Sequence, residues 1–388
     1  VPEWSMFARD PGYQLNGGLP IASARGVVRH LGVDTAIVET PMTEDAAGRL
    51  APGCGVVLRR GARQEFSGLI SGDLAISFDS DGRPLIKAQL VGDNVHLDDR
   101  LAFPDPARAG DAQTTADYWT STSAASTAMQ LLIAQQLGPA ARAERRVPTL
   151  HMGEDAGIGA VRTWRAQFES VLEACARFSA LSGANPGIRM THTPDGLRCD
   201  IYAPRDMAGQ VRFSADLSNL QGFDYTQTTP TCTYALVAGQ GDLRQRIRRA
   251  ATSTDPLDVR WGRRIERYID RRDEADTAEL AQAATDAITE GAGQVSLTCT
   301  LTDSQAAIYG RDWGLGDRIT VHVGPAGQTT AATVADVVRE IAFEVDSTGA
   351  ETLRPAIGGT DAATQLPTPT QKTLAAVGRR LQGLITRK

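Results

Sequence analysis

The sequence predicts a mainly β protein of the α+β class, in which a small β unit occurs twice with an α/β region between the copies. Three observations carry this. From Gly310 to Gly324, Ile319, Val321 and Val323 alternate with Arg318, Thr320 and His322, the period-2 signature of a strand with one buried face, and Gly316-Asp317 supply the turn into it. The same pattern lies 263 residues earlier: Gly53 matches Gly316, Val56 matches Ile319, Leu58 matches Val321 and Gly61 matches Gly324 without a gap. Each copy then reaches an Asp-Ser-x-Gly turn, Asp79–Gly82 after Ile76-Ser77-Phe78 and Asp346–Gly349 after Phe343-Glu344-Val345. Both run on through Pro84 or Pro355 to Gly92 or Gly358. Self-similarity sustained over this distance favours a duplication over two unrelated hairpins with common turn chemistry.

Composition bounds the rest. With 388 residues, 41% of them hydrophobic and 22% charged, the chain is globular and long enough for about two to four domains. A net charge of -6 argues against a tight nucleic-acid binder, whose domain is usually basic. The five cysteines (Cys54, Cys175, Cys199, Cys232, Cys299) are dispersed without a Cys-x-x-Cys pair, which reads as buried reduced thiols. No signal peptide and no 18-residue apolar run is present, so synthesis in a cytoplasm and no membrane span are expected.

Taken in order, short strands are expected at Gly26–Arg29 and Thr35–Val38, then a helical turn from Thr43 to Leu50 and strands at Phe66–Ile70 and Ile86–Val91. Asp79-Ser80-Asp81-Gly82 lacks the Glu and remaining ligands of a calcium loop and is read as a turn. Pro104 and Pro106 close this region and a polar stretch follows to Ala116. Ser126–Leu137 has helical spacing, stopped by Gly138-Pro139. Val161, Trp164, Phe168, Val171, Leu172, Cys175, Phe178 and Leu181 predict one long helix, and Gly157-Ile158-Gly159 before it is too partial for a phosphate cradle. Ile188–His192 and Leu197–Tyr202 flank a Pro194-Asp195-Gly196 turn, giving a βαββ-like region over about 113–205. Val211–Ser214 and Thr231–Gly239 read as strands. The arginines of 244–249 and 260–272 are interspersed with acids, a salt-bridged face more than a nucleic-acid patch. Thr277–Glu290 is a helix with Thr277 as N-cap and Gly291 as stop, and Val295–Leu301 is a strand. Residues 361–371 form a polar linker. Beyond it Leu374, Val377, Leu381 and Leu384 make two heptads of a coiled-coil seam, an interface for a second copy or a partner.

No reactive constellation accompanies this framework. His-Glu-x-x-His, Gly-x-Ser-x-Gly, a P-loop and Cys–His zinc spacing are all missing. His30, His96, His151, His192 and His322 are far apart in sequence. Glu154-Asp155 and Asp98-Asp99 are adjacent carboxylates of the kind usually solvated. The expectation is no catalytic residue, no cofactor, no metal site and no enzyme.

Several phrases are jointly specific: Val91-Gly92-Asp93-Asn94 to Leu101-Ala102-Phe103-Pro104, Tyr202-Ala203-Pro204-Arg205-Asp206, Phe213-Ser214 to Asn219-Leu220, Val237–Gly241, Trp261–Glu266, and Tyr309–Trp313 to Gly316-Asp317. Together, over residues 4–358, they resemble the minor tail proteins of actinobacterial siphophages, the tail-tip or baseplate hub family. The resemblance implies two related small β-barrels with an inserted α/β region: a first barrel in 1–112, an α/β domain in 113–205, a second barrel in 206–240 and 294–360 interrupted by 241–293, and a linker and C-terminal helix in 361–388. It implies a homotrimer at the distal tip of the tail, closing the tube and touching the distal tail protein, the tape measure protein and a tail fibre or other minor tail proteins, with DNA only in transit. Two alike units in each of three chains would meet a sixfold tube with six similar surfaces. Longer relatives attach a lytic or fibre domain, and this sequence stops after the short helix. The competing readings are a tail-associated peptidoglycan hydrolase, which lacks a catalytic constellation here, and a carbohydrate-binding module for receptor recognition.

Overall fold

A computed structural model describes residues 3–79, 81–301, 307–323 and 332–358. The chain begins with β1 (Trp4–Arg9), β2 (Leu15–Leu19), β3 (Ser23–Arg29) and β4 (Thr35–Pro41), turns through helix α1 (Glu44–Arg49), and continues as β5 (Gly55–Arg60), β6 (Arg63–Phe78) and β7 (Pro84–Gly92). Helix α2 (Val95–Asp98) leads to an α/β layer of β8 (Trp119–Ser123), α3 (Ala125–Gln136), β9 (Leu150–Met152), β10 (Arg162–Ala166), α4 (Val171–Ala180), β11 (Gly187–Thr193) and β12 (Gly196–Tyr202). β13 (Arg212–Ser214) and β14 (Leu220–Gln227) follow, then a side unit of β15 (Tyr234–Ala238), β16 (Arg248–Thr252), α5 (Pro256–Arg260), β17 (Glu266–Asp270) and α6 (Thr277–Glu290). β18 (Val295–Leu301), β19 (Arg318–Val323), β20 (Ala332–Asp346) and β21 (Glu351–Gly358) complete the described chain.

The duplication is visible in the hydrogen-bond ladders. β5, β6 and β7 form an antiparallel meander, and β19, β20 and β21 form the same one. Val56 pairs with Gly68 where Ile319 pairs with Asp336, and Ile76 pairs with Ile86 where Phe343 pairs with Leu353. The glycines ahead of the first strands, Gly53 and Gly316, take the same left-handed backbone, φ 86° and 85°, which a side chain would strain. The hairpins agree too. The Asp79 carboxylate accepts from the N–H groups of Asp81 and Arg83, and the Asp346 carboxylate accepts from those of Thr348 and Ala350. Each is an Asx-type turn closed by a positive-φ glycine, Gly82 or Gly349. The ladders correct one detail: Phe78 pairs with Pro84 as Val345 pairs with Glu351, so Pro355 corresponds to Ala88 and Gly358 to Val91, not to Pro84 and Gly92.

The expected two β-barrels are not there. No sheet among the described residues closes on itself; both copies belong to one open 13-stranded sheet whose main path runs β14-β18-β21-β20-β3-β4-β7-β6-β5-β1-β2. The reason is a trade of partners. β3, from the first copy, pairs with β20 of the second, from Ser23 opposite Asp346 to Arg29 opposite Glu340. A unit whose outer strand is taken up by its neighbour cannot bend back to close on itself. The seam is reinforced by a buried Arg29–Glu340 ion pair at 3.2 Å and by Trp4 stacked on Phe343 with ring centroids 5.4 Å apart. One apolar core fills the inner face of the sheet and joins residues of both copies, among them Met6, Val38, Leu58, Phe66, Phe213, Val321, Ile341 and Phe343.

Two local expectations also fail. Residues 161–181 are not one helix. Arg162, Trp164 and Ala166 belong to β10, paired with β8; Phe168 has φ 57°; and α4 starts only after Ser170, whose hydroxyl and Glu173 form a capping box. The core contacts of Trp164 and Phe178 (5.0 Å between centroids) are therefore contacts between a strand and a helix, not neighbours along one helix. Gly157 and Gly159 thus precede a strand, which removes the helix N-terminus a phosphate cradle needs. Helix α6 is capped by Asp276, which accepts from Ala278 N–H, not by Thr277.

The Arg29–Glu340 pair gives a direct test of the seam. Arg29→Met should cost about 3–5 kcal/mol in urea unfolding because Glu340 is left buried without its cation. Adding Glu340→Leu should recover part of that loss; strictly additive losses would show that the pair does not couple the copies.

Candidate assembly interface

The inner face of the sheet is filled by its own core. Along β14-β18-β21-β20-β3-β4-β7-β6 the side chains opposite the core are mostly polar and of mixed sign, with Val27, Ile37 and Leu85 among them and with Arg29 and Glu340 buried. Arg25 is across from Glu344, Glu39 meets Lys87 at 3.5 Å and Ser23 at 2.9 Å, and Arg354 stands exposed on β21. Strand alternation produces this division, since neighbours such as Ala24, Val345 and Phe343 point into the core.

One end of the sheet is locked to the α/β layer by buried polar contacts. Arg9 forms a fully buried bidentate pair with Asp93, and also reaches Ser67 at 3.1 Å. His30 Nε2 lies 3.0 Å from the Asn185 carbonyl, which only accepts, so Nε2 carries the proton and Nδ1 accepts from the Tyr202 hydroxyl at 2.8 Å. His192 Nε2 donates likewise to the Tyr13 carbonyl at 2.7 Å, and the Tyr13 hydroxyl meets His96 at 2.8 Å. Three histidines far apart in sequence are thus brought to one junction, each bridging sheet and layer or supporting a residue that does. Burial lowers the pKa of all three, that of His30 to about 4, with Arg339 adding to the effect there. Beside them Asp34, deprived of hydration, is raised to about 7 despite the Arg29 N–H and guanidinium.

The side unit has its own small core of Cys232, Ala235, Val237, Leu280, Ala284 and Ala287. It meets the α/β layer through Arg162–Asp286 and Arg165–Glu274. Of its arginines in 244–249 and 260–272, Arg246 and Arg272 pair with Asp270 and Arg264 with Glu266. His322 stays on the polar side of β19, against Thr333 at 2.9 Å. Among the described residues no group of three or more His, Cys, Asp or Glu is placed to hold a metal ion, and no helix is long and apolar enough to cross a membrane. All five cysteines are free and buried. Leu374, Val377, Leu381 and Leu384, the interface predicted from heptad spacing, lie outside the described residues. The buried polar junction was missed by sequence reasoning, although Asp93-Asn94, Tyr202 and Asp317 stand within the phrases quoted above; Asp317 pairs with Arg205 at 2.9 Å.

Solved structures similar to this fold include phage tail proteins. A 43 kDa tail protein of prophage MuSo2 from Shewanella oneidensis matches with a TM-score of 0.55 and 13% identity, over 92% of this chain and 98% of that one. A tail protein from Neisseria meningitidis MC58 matches equally, with 0.55 and 13% over 92% and 97%. The prophage tail protein gp18 from Listeria monocytogenes EGD-e gives 0.50 and 9%, over 97% and 99%. At these identities the likeness is one of fold. The family is shown by sequence: residues 7–359 match the model of the Siphovirus ReqiPepy6 Gp37-like proteins, and the chain belongs to that family. No curated protein matches the sequence. The chain thus belongs to a siphovirus family and has a fold also found in phage tail proteins.

The junction predicts a pH dependence. The depressed histidines contribute stability that is present above their ordinary pKa of 6.5 and is lost as pH falls below it, through about 4 in the case of His30. A raised Asp34 acts oppositely, contributing below 3.8 and losing its contribution as pH rises through about 7. Asp34→Asn removes the opposing contribution, so its melting temperature should climb more steeply from pH 4 to 7 than that of the wild type. Parallel curves would refute the assignment.

Proposed function

We propose that the chain is the hub at the distal tip of a siphophage tail, in a phage of an actinobacterial host. Three copies close the tail tube there, with one rim on the distal tail protein, the end of the tape measure protein held within, and a fibre or other minor tail proteins below. DNA passes through without specific binding. The observation that carries this is the duplicated meander. A chain with two like units presents six like surfaces as a trimer, which is how three subunits can continue a sixfold tube. The polar wall of mixed charge and the net charge of -6 are in keeping with a lumen along which a polyanion moves without sticking. Membership of a siphovirus family and the tail-protein fold support the tail, and the duplication supports the tip.

Two measurements test this. Antibody against the chain, bound to intact particles in electron micrographs, should label only the tail end distal to the head; label along the tube or at the neck overturns the hub. Leu374, Val377, Leu381 and Leu384 are proposed as a seam for copies or partners. Two heptads are short for a stable lone helix, but three tethered copies raise their local concentration. Replacing Leu381 and Leu384 with Asp should leave the thermal melt of the chain unchanged and weaken trimer or partner attachment. Unchanged assembly would make the seam incidental.

A further inference from the structure

The side unit has more sheet than its helix covers. Ala235 and Val237 of β15 pack against Leu280, Ala284 and Ala287 of α6, and the helix lies over β15 and β16. β17 is on the other flank of β15, with Arg267 opposite Ala235 and Ile269 opposite Val237. Both therefore point to the helix side of the sheet, but beyond the helix, and Arg267 is exposed and Ile269 half-buried there. The α/β layer closes this space without filling it. The pairs Arg162–Asp286 and Arg165–Glu274 hold the side unit against β10 and leave a cleft of about 350 Å³ between β17, α6 and the layer. Small-ligand sites are commonly clefts of about 300–1,000 Å³ where two units of a protein meet.

The side chains around this cleft fall into two sets. Arg165, Arg177, Glu169 and Asp286 are tied into ion pairs and form fixed walls. Tyr118, Gln167, Arg267, Arg271 and Glu290 line it too, and none of these has a side-chain hydrogen bond, ion pair or ring contact with another described residue. The wall that α6 contributes is one helical stripe, in which Ala283 and Ala287 leave room beside Asp286 and Glu290. The result is a firm frame around unengaged donors, acceptors and one aromatic ring.

We propose that this cleft binds an acidic saccharide, a sugar unit carrying a carboxylate or a phosphate. Arg267 and Arg271 supply planar, permanently charged donors for the anionic group. Gln167 and Glu290 supply an amide and a carboxylate suited to hydroxyl groups. Tyr118, 42% exposed, offers a ring face to the apolar side of a pyranose. The mixture of signs selects the class. A nucleotide's polyphosphate would meet Glu169, Asp286 and Glu290 as well as the arginines, and no glycine-rich turn lines the cleft to cradle it. An apolar ligand would strip water from these polar groups and give them no partner. The unengaged Arg267 and Arg271 outweigh the unengaged Glu290 by one charge, which matches a single acidic group. The site stands whether or not the chain is a hub. At a tail tip, as proposed above, its ligand is a saccharide of the host surface.

The test is saturation-transfer-difference NMR on the full-length chain, titrated separately with glucuronic acid, glucose-1-phosphate, neutral glucose and ATP. Saturable binding is expected for at least one of the two acidic sugars, which then tells a carboxylate ligand from a phosphate one, and none for glucose. Arg267→Gln with Arg271→Gln should weaken that binding at least about tenfold, since hydrogen bonds to charged groups are lost. Tyr118→Ala, on a different element, should weaken it by less. Both variants should melt as the wild type does without ligand, because the replaced side chains are exposed and unpartnered. No saturable binding of either acidic sugar overturns the proposal, as does glucose binding equally well or an affinity that neither variant changes. ATP binding more tightly than both sugars overturns the saccharide class. None of these outcomes alters where antibody labels the particle, so the hub reading stands or falls separately.

Discussion

β20 has to satisfy three neighbours. Over its 15 residues it gives its first part to β19 and its second part to β21 on one side and β3 on the other. A bulge between Val338 and Glu340 turns the strand at the point where its partners change. Each ladder bond adds only about 1 kcal/mol net, but an unpaired buried amide costs more than that, so the position of β3 is determined by what β20 would otherwise lack. Arg29 is then brought against Glu340 inside the seam, where neither charge is tolerable without the other. The absence of closed barrels and the continuity of one core through both copies follow from this one exchange of strands.

The α/β layer depends on that arrangement at one remove. Arg29 contacts the Val33 carbonyl and receives the side chain of Asp34 on its own N–H, which shapes the short turn from β3 to β4. Asn94, at the end of β7, donates to Gly32 of the same turn and accepts from Asp34 N–H. The turn carries His30 to Tyr202 and Asn185 of the layer. The layer is thus seated on the seam that fuses the copies, through neutral histidines and a desolvated carboxylate.

Much of this was legible in the sequence where the signal is local. The Asp-x-x-Gly hairpins and the two positive-φ glycines announce themselves because turn chemistry depends on four or five residues. The alternation of Val56-Leu58 and Ile319-Val321 gave the buried faces correctly. What the sequence could not show was which edge pairs with which, because β3 and β20 are more than 300 residues apart and strand pairing leaves no local trace. The false helix over 161–181 has a different cause. Val161, Trp164 and Phe168 happen to continue the spacing of α4, and the apolar stripe outweighed Ser170-x-x-Glu173, the capping box that marks the true start. The histidine junction was hidden because its members contribute nothing to periodicity and meet only in the fold. The C-terminal heptads fall outside the described residues.

The differences between the copies fall at one rim of the sheet. β3 reaches β4 through a five-residue turn, whereas the equivalent strands β14 and β18 are separated by the whole side unit, from β15 to α6. Surface turns tolerate such insertions because the cost of lengthening a loop grows only slowly. The α/β layer attaches at the same rim, through the β3–β4 turn and Asp93-Asn94, and ties to the side unit by Arg162–Asp286. At the opposite rim both copies present the same Asp-led turn, at Asp79 and at Asp346. In the proposed trimer that hairpin rim repeats six times in nearly the same form, while the decorated rim repeats three times. A sixfold tube can therefore be met only by the hairpin rim, which leaves the layer and side unit to face the threefold parts of the tip.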